Sequence, residues 1–152
     1  MISEIRHSGI VVQDLERAKQ FYTKLGLKVT IDLTNIKEGY HGFHIHNYGD
    51  LRDGCKSLGG HYNPEKKVHG GLHSKIKHKG DLGNIYASKN NSVKTYFYVN
   101  NLKVKELLGR SIVIHENKDD LGKGNNEESL ITGNAGKRIG CGIIGYYNSN
   151  YK

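Results

Sequence analysis

The stretch from residue 47 to residue 92 most restricts what this chain can become. It is rich in Gly, Asn, Asp, Lys and His, holds the only proline, Pro64, and shows no long apolar periodicity. Before it, Val29, Ile31 and Leu33 alternate with polar residues, and after a turn at Glu38 and Gly39 the run Phe43, His44, Ile45, His46 alternates again, the period of a half-buried strand. After it come strand-like runs over 93–99 and 110–115, a second Gly-, Asn- and charge-rich loop over 116–138, and an apolar strand over 139–147. Core burial alone does not hold so long a loop inside a compact unit, so some other device must order it. Strands joined by two long ordered loops suggest an antiparallel barrel or sandwich.

With 152 residues, the chain reads as a single domain over 1–152, large enough to bury roughly 70% of its extended surface. Its 36% hydrophobic and 25% charged residues are those of a folded, soluble protein. No run approaches the roughly 20 apolar residues of a membrane span, so no membrane partner is expected. Glu4, Arg6, Asp14, Glu16, Arg17 and Lys19 interrupt the opening residues, which leaves no secretory signal and predicts a cytoplasmic protein. The net charge of +8 draws small anions inward, but the basic residues are scattered, so nucleic acid is not an expected partner. Cys55 and Cys141 form no CxxC pair, and composition alone reads them as two reduced thiols.

Nine histidines are a more pointed signal. His44 and His46 lie two apart on a strand and so share a face, opposite Phe43 and Ile45. Within the long loop, His61, His69, His78 and Asp81 supply three imidazoles and a carboxylate, the donor set of a closed tetrahedral zinc site, and Gly60, Gly70 and Gly80 flank three of the four, His61, His69 and Asp81, letting the backbone turn tightly. His115 ends an apolar strand and can reach a centre from the opposite side. Each histidine alone reads as a surface or hydrogen-bonded residue. Together they read as metal ligands, and a bound metal would explain the ordered loop. Several neutral imidazoles suit copper, and three imidazoles with one carboxylate suit zinc.

The motifs GFHIHNYGD (42–50), GGHYNPEKKVHGG (59–71), HKGDLGNI (78–85), GRSIVIHENKDDLGKG (109–124) and EESLITGNAGKRIGCGIIG (127–145) resemble the Cu,Zn superoxide dismutase family over about residues 28–145. The resemblance implies an all-β, Greek-key antiparallel barrel with two long ordered loops. It implies copper on His44, His46, His61 and His115, and zinc on His61, His69, His78 and Asp81, with His61 bridging the two. It further implies that Asp119 orients His44 and His69 from outside the ligand set. Arg138 would dock the anionic substrate, Lys123, Glu128 and Thr132 would line its channel, and Cys55 and Cys141 would form a disulfide, against the reading from composition. The implied reaction is dismutation of superoxide to dioxygen and hydrogen peroxide, with His61 giving up copper and carrying a proton, in a homodimer.

The chain departs from the family pattern at Ile131, where a lysine is common, and at Tyr146 and Tyr147, where the end is usually short and apolar. The larger departure is the opening 27 residues. There HSGIVVQDLERAKQFYTKLGLKV (7–29) is similar to the first strand and helix of a glyoxalase-type vicinal oxygen chelate module, in which His7 would fall at a ligand position; here His7 is read as a non-ligand. The segment either fills the barrel as strands, the favoured expectation, or forms a strand and helix that leave it incomplete. A non-catalytic copper- and zinc-binding relative is the alternative to an enzyme.

Overall fold

The computed structural model describes residues 26–147; the segment resembling a glyoxalase module, with His7, lies almost wholly outside them. Within them the strands are β1 (Leu27–Thr34), β2 (Gly39–His46), β3 (Asp81–Ala87), β4 (Ser92–Val99), β5 (Ser111–His115) and β6 (Arg138–Ile143), with the one-turn helices α1 (Val104–Leu107) and α2 (Ser129–Thr132). β1 pairs with β4 in one antiparallel sheet, and the other runs β3-β2-β5-β6. The path from β2 to its neighbour β3, across to the other sheet in β4, and back beside β2 in β5 is a Greek-key connection. The fold class matches the expectation.

The alternating pattern explains β1. Val29 and Ile31 are buried, while Lys28, Thr30 and Asp32 face solvent. β2 is different, because everything from His41 to His46 is buried. Phe43 and Ile45 enter the apolar core with Ile31, Ile85, Val93 and Ile114, and the long loops cover the opposite, histidine-bearing face.

Two elements differ from expectation. β3 lies inside the stretch read as loop; five of its seven residues are buried, on both faces, with Tyr86 alone exposed, and Gly83 sits at a φ of +82°, so no period-two pattern marks it. The last strand ends at Ile143 instead of running to 147. Ile144 still donates to the Arg110 carbonyl at 2.9 Å, but Tyr146 and Tyr147 stand 83% and 67% exposed, and no strand among the described residues pairs with them. Among the described residues no helix is long and apolar enough to cross a membrane.

Candidate metal centre

β2 presents His44 and His46, and β5 ends on His115 one step past the Phe43–Ile114 pair. The loop delivers His61 through an isolated antiparallel bridge to His46, clamped by Tyr62 N–H to Ile45 O at 2.7 Å and Asn47 N–H to Gly60 O at 3.0 Å. A register shift between Gly42 and His44 sets His44 opposite Asp81 at the start of β3. Gly42 leaves room for this turn, since a Cβ there would lie 2.8 Å from the Ala135 methyl and 3.1 Å from the His44 ring.

Two buried donor groups result, His44/His46/His61/His115 and His61/His69/His78/Asp81, each with its donor atoms within 4.8 Å of one another. His61 belongs to both. Its Nδ1 lies 2.9 Å from Asp81 Oδ1 and 3.3 Å from His78 Nδ1, and its Nε2 is buried without a partner. In the second group Asp81 Oδ1 is also 3.0 Å from His69 Nδ1 and 3.2 Å from His78 Nδ1. Four donors about 2 Å from a zinc ion at tetrahedral angles stand about 3.3 Å apart, close to these separations.

The ring orientations follow from what holds the other nitrogens. His44 Nε2 and His69 Nε2 donate to the two oxygens of Asp119, each at 2.8 Å, which leaves His44 Nδ1 and His69 Nδ1 buried and without hydrogen-bond partners. His46 Nδ1 donates to Gly59 O at 2.9 Å and His115 Nδ1 to Gly136 O at 3.1 Å, so their Nε2 atoms turn inward, 3.4 Å apart. Unpartnered buried nitrogens are rare because each forfeits its hydration. Three of them converge on two groups where a bound cation would satisfy them, and the donor types fit copper in the first group and zinc in the second. Asp119 is itself pinned, its N–H donating to Asn84 Oδ1 at 2.7 Å and its carbonyl accepting from Asn84 Nδ2 at 2.9 Å.

Burial sets the protonation of the first group. It pushes His44 down to about 3 against the opposing Asp119 hydrogen bond, His46 to about 2 and His115 to about 4, and lowers His61 as well. All are therefore neutral and free to donate a lone pair. Burial also opposes charge on His69, but Asp119 and Asp81 outweigh it and raise that ring to about 9. Burial opposes ionisation of Asp81 too, yet the imidazoles of His61, His69 and His78, whose Nδ1 atoms lie 2.9, 3.0 and 3.2 Å from its Oδ1, hold its carboxyl far below the usual range.

Cys55 and Cys141 are joined in a disulfide with their Cα atoms 5.9 Å apart, which overturns the two thiols read from composition. The bond ties the loop before His61 to β6, and Arg138 of β6 grips the same loop, donating to Cys55 O at 2.7 Å and Gly59 O at 2.6 Å. A cavity of about 690 Å³ opens over the first group, lined by His46, His61, His115, Glu128, Thr132 and Arg138, among others. Ile131, Asn63 and Lys137 line it too; the last two carried no signal in the sequence. Lys123 is exposed on the second loop and lies outside the lining.

Comparison with known proteins bears on this geometry. The family model described as copper/zinc superoxide dismutase (SODC) matches residues 10–144. The chain is similar to the Cu-Zn superoxide dismutase of Paramecium bursaria Chlorella virus 1, with 51% identity over 129 residues, 82% of this chain and 69% of that one. It is 48% identical to Cu-Zn superoxide dismutase 5 of Dictyostelium discoideum over 144 residues, 90% and 91% of the two chains. With an extracellular Cu-Zn superoxide dismutase of Drosophila melanogaster it shares 49% over 120 residues, 77% and 66%. The family match begins at residue 10 and takes in most of the segment that resembles a glyoxalase, a resemblance that nothing in these comparisons supports.

Proposed function

The chain belongs to the copper/zinc superoxide dismutase family, and from that premise we propose that it dismutes superoxide with copper held by His44, His46, His61 and His115 and zinc held by His61, His69, His78 and Asp81. The observation that carries this assignment is His61, whose two ring nitrogens face the two groups from a single buried imidazole. When bound, copper alternates between two oxidation states and passes an electron from one superoxide to the next, while zinc, without redox chemistry, holds the loop.

The chain's own residues supply the rest. Arg138 is a fixed cation at the cavity, its guanidinium held by the Cys55 and Gly59 carbonyls, and it docks a small anion beside the first group. The net charge of +8 adds a field that raises the encounter rate and weakens with salt. Glu128 and Thr132 shape the mouth, where the Thr132 hydroxyl donates to the Glu128 carboxylate at 2.6 Å. Peroxide formation consumes protons, and His61 Nε2, the ring atom left without a hydrogen-bond partner in a residue that lines the cavity, is where one is held and passed on. Asp119 keeps His44 and His69 in the tautomers that present Nδ1 inward.

We further propose a homodimer through the exposed apolar surface of Tyr48, Leu51 and Ile143, beside which Gly49 packs against Gly109. Sedimentation of the metal-loaded protein tests this, and a monomer at micromolar concentration refutes it. The cytoplasmic placement and the single-domain reading stand as proposals of the same kind.

The decisive experiment for the activity compares the metal-loaded parent with Arg138→Ala and Arg138→Glu. A dismutase loses kcat/KM in the order Ala then Glu, by about tenfold or more for Glu, and the parent rate falls with ionic strength. A protein that only stores the metals binds both ions and shows little turnover in any of the three.

A further inference from the structure

The turn from His78 to Asp81 carries two donors of the second group, and its two ends are held in different ways. On the inside, Asp81 Oδ2 accepts the backbone N–H of His78 at 2.7 Å and of Gly70 at 3.0 Å, which leaves Oδ1 for the imidazoles. On the outside, the ammonium of Lys77 donates to the carbonyl of His78 and to the carbonyl of Asp81, each at 3.1 Å. Lysine ordinarily extends its ammonium into water. Lys77 instead folds back over its own chain and is half-buried, whereas Lys75 and Ile76 just before it are exposed. Folding back forfeits rotamer freedom and part of the hydration of the charge, and sets a cation near the place where a divalent ion would sit. Two backbone carbonyls at the ends of one turn are what offset those losses.

We propose that Lys77 is a positioning residue for the second donor group. By drawing the His78 and Asp81 carbonyls to one ammonium, it sets the span of the turn, and with it the approach of His78 Nδ1 to Asp81 Oδ1, before any ion is present. The loop is then organised ahead of binding, and less of the binding free energy goes into ordering it. This inference rests on the assignment of zinc to His61, His69, His78 and Asp81.

The test uses copper-free protein with zinc and cobalt(II) as probes. Zinc affinity is measured by competition with a chromophoric chelator, and the visible bands of cobalt report the ligand geometry directly. Lys77→Met keeps the stem and removes the donors; it should weaken zinc at least fivefold and shift the cobalt bands. Lys77→Arg restores charge and donors, and its affinity should fall closer to the parent than to Met. A Met variant that binds zinc less than fivefold more weakly, or retains the parent cobalt spectrum, overturns the proposal, as does an Arg variant no better than Met. If the Met variant does not fold, Arg decides alone: affinity within threefold of the parent supports the proposal, and a larger loss overturns it. Asp81→Ala tests the underlying assignment separately. If it binds zinc as tightly as the parent, the zinc site is elsewhere and the inference falls with it.

Discussion

Gly133 ends α2 in a left-handed conformation, with φ of +70° and ψ of +22°, and a Cβ built there would run into Asp119 Oδ1 and the His69 Nε2 that donates to it. Gly133→Ala therefore perturbs two things at once. The backbone conformation costs an L-residue about 1–2 kcal/mol. The methyl also has nowhere to go, because Asp119 Oδ1 is further held by the N–H of Leu121 at 2.7 Å and Asp119 Oδ2 by His44 at 2.8 Å. Displacing the carboxylate breaks its charge-assisted bonds to His44 and His69, roughly 3–6 kcal/mol for the pair. Gly54→Ala is the control, with φ of +55° and nothing within 4 Å of the added methyl, so it carries the backbone term alone. Urea unfolding of both variants without metals, and metal content after dialysis, separate the terms. Gly54→Ala should lose about 1–2 kcal/mol and keep both metals, while Gly133→Ala should lose several kcal/mol and release metal from both groups. Equal losses in the two variants, within about 1 kcal/mol, together with full metal content, would refute the claim that Gly133 is there to make room for the Asp119 bridge.

Three further outcomes are expected. Replacing Cys55 and Cys141 with Ala opens a covalent loop spanning 86 residues; chain entropy alone predicts a loss of about 4–5 kcal/mol, and because Arg138 holds the Cys55 carbonyl, kcat/KM should fall even in protein that remains folded, as stopped-flow decay of superoxide would show. The metal-free protein should be most stable near neutrality. His44, His46 and His115 are held at about 3, 2 and 4 and are neutral when folded but take up protons when unfolded below about 6.5, and His61 is lowered in the same sense, so stability drops as pH falls from 6.5 toward 4, the first three contributing up to roughly 4 kcal/mol per pH unit and His61 adding to it. His69, raised to about 9, acts in the opposite sense: its contribution is complete below 6.5 and is lost as pH rises toward 9. Urea midpoints across pH 4–10 would show the dome, and a flat profile between 4 and 6.5 would contradict the neutral, buried histidines. Lastly, Asn84→Ala removes both of the bonds that hold Asp119 by its backbone, and should weaken metal retention without touching a ligand; metal analysis after dialysis against a mild chelator checks it.

Much of the centre was legible because its chemistry sits on a regular element. His44 and His46 alternate with Phe43 and Ile45, so one strand announces both its core face and its ligand face. β3 was not legible for the opposite reason: covered on both sides along most of its length, with only Tyr86 exposed, and interrupted by Gly83, it has no regular polar face to create a period. The acceptors that orient His46 and His115 were equally hidden. Gly59 and Gly136 act through backbone carbonyls, and Lys77 is one lysine among many until its ammonium is seen to close a turn. The cysteines illustrate how far composition reaches. Spacing gave no reason to join residues so distant; only the motif resemblance implied the bond, and the packing of the loop against β6 brings them within bonding distance.

β2 has no side turned to solvent after Tyr40. A strand of that kind has no silent positions: an altered side chain between 41 and 46 is felt either by the apolar interior or by the imidazole cluster, and Gly42 by both. Damage to folding and damage to turnover should therefore be hard to separate anywhere along it, whereas the outward-facing positions of β1, Lys28, Thr30 and Asp32, are where variation can accumulate without either penalty.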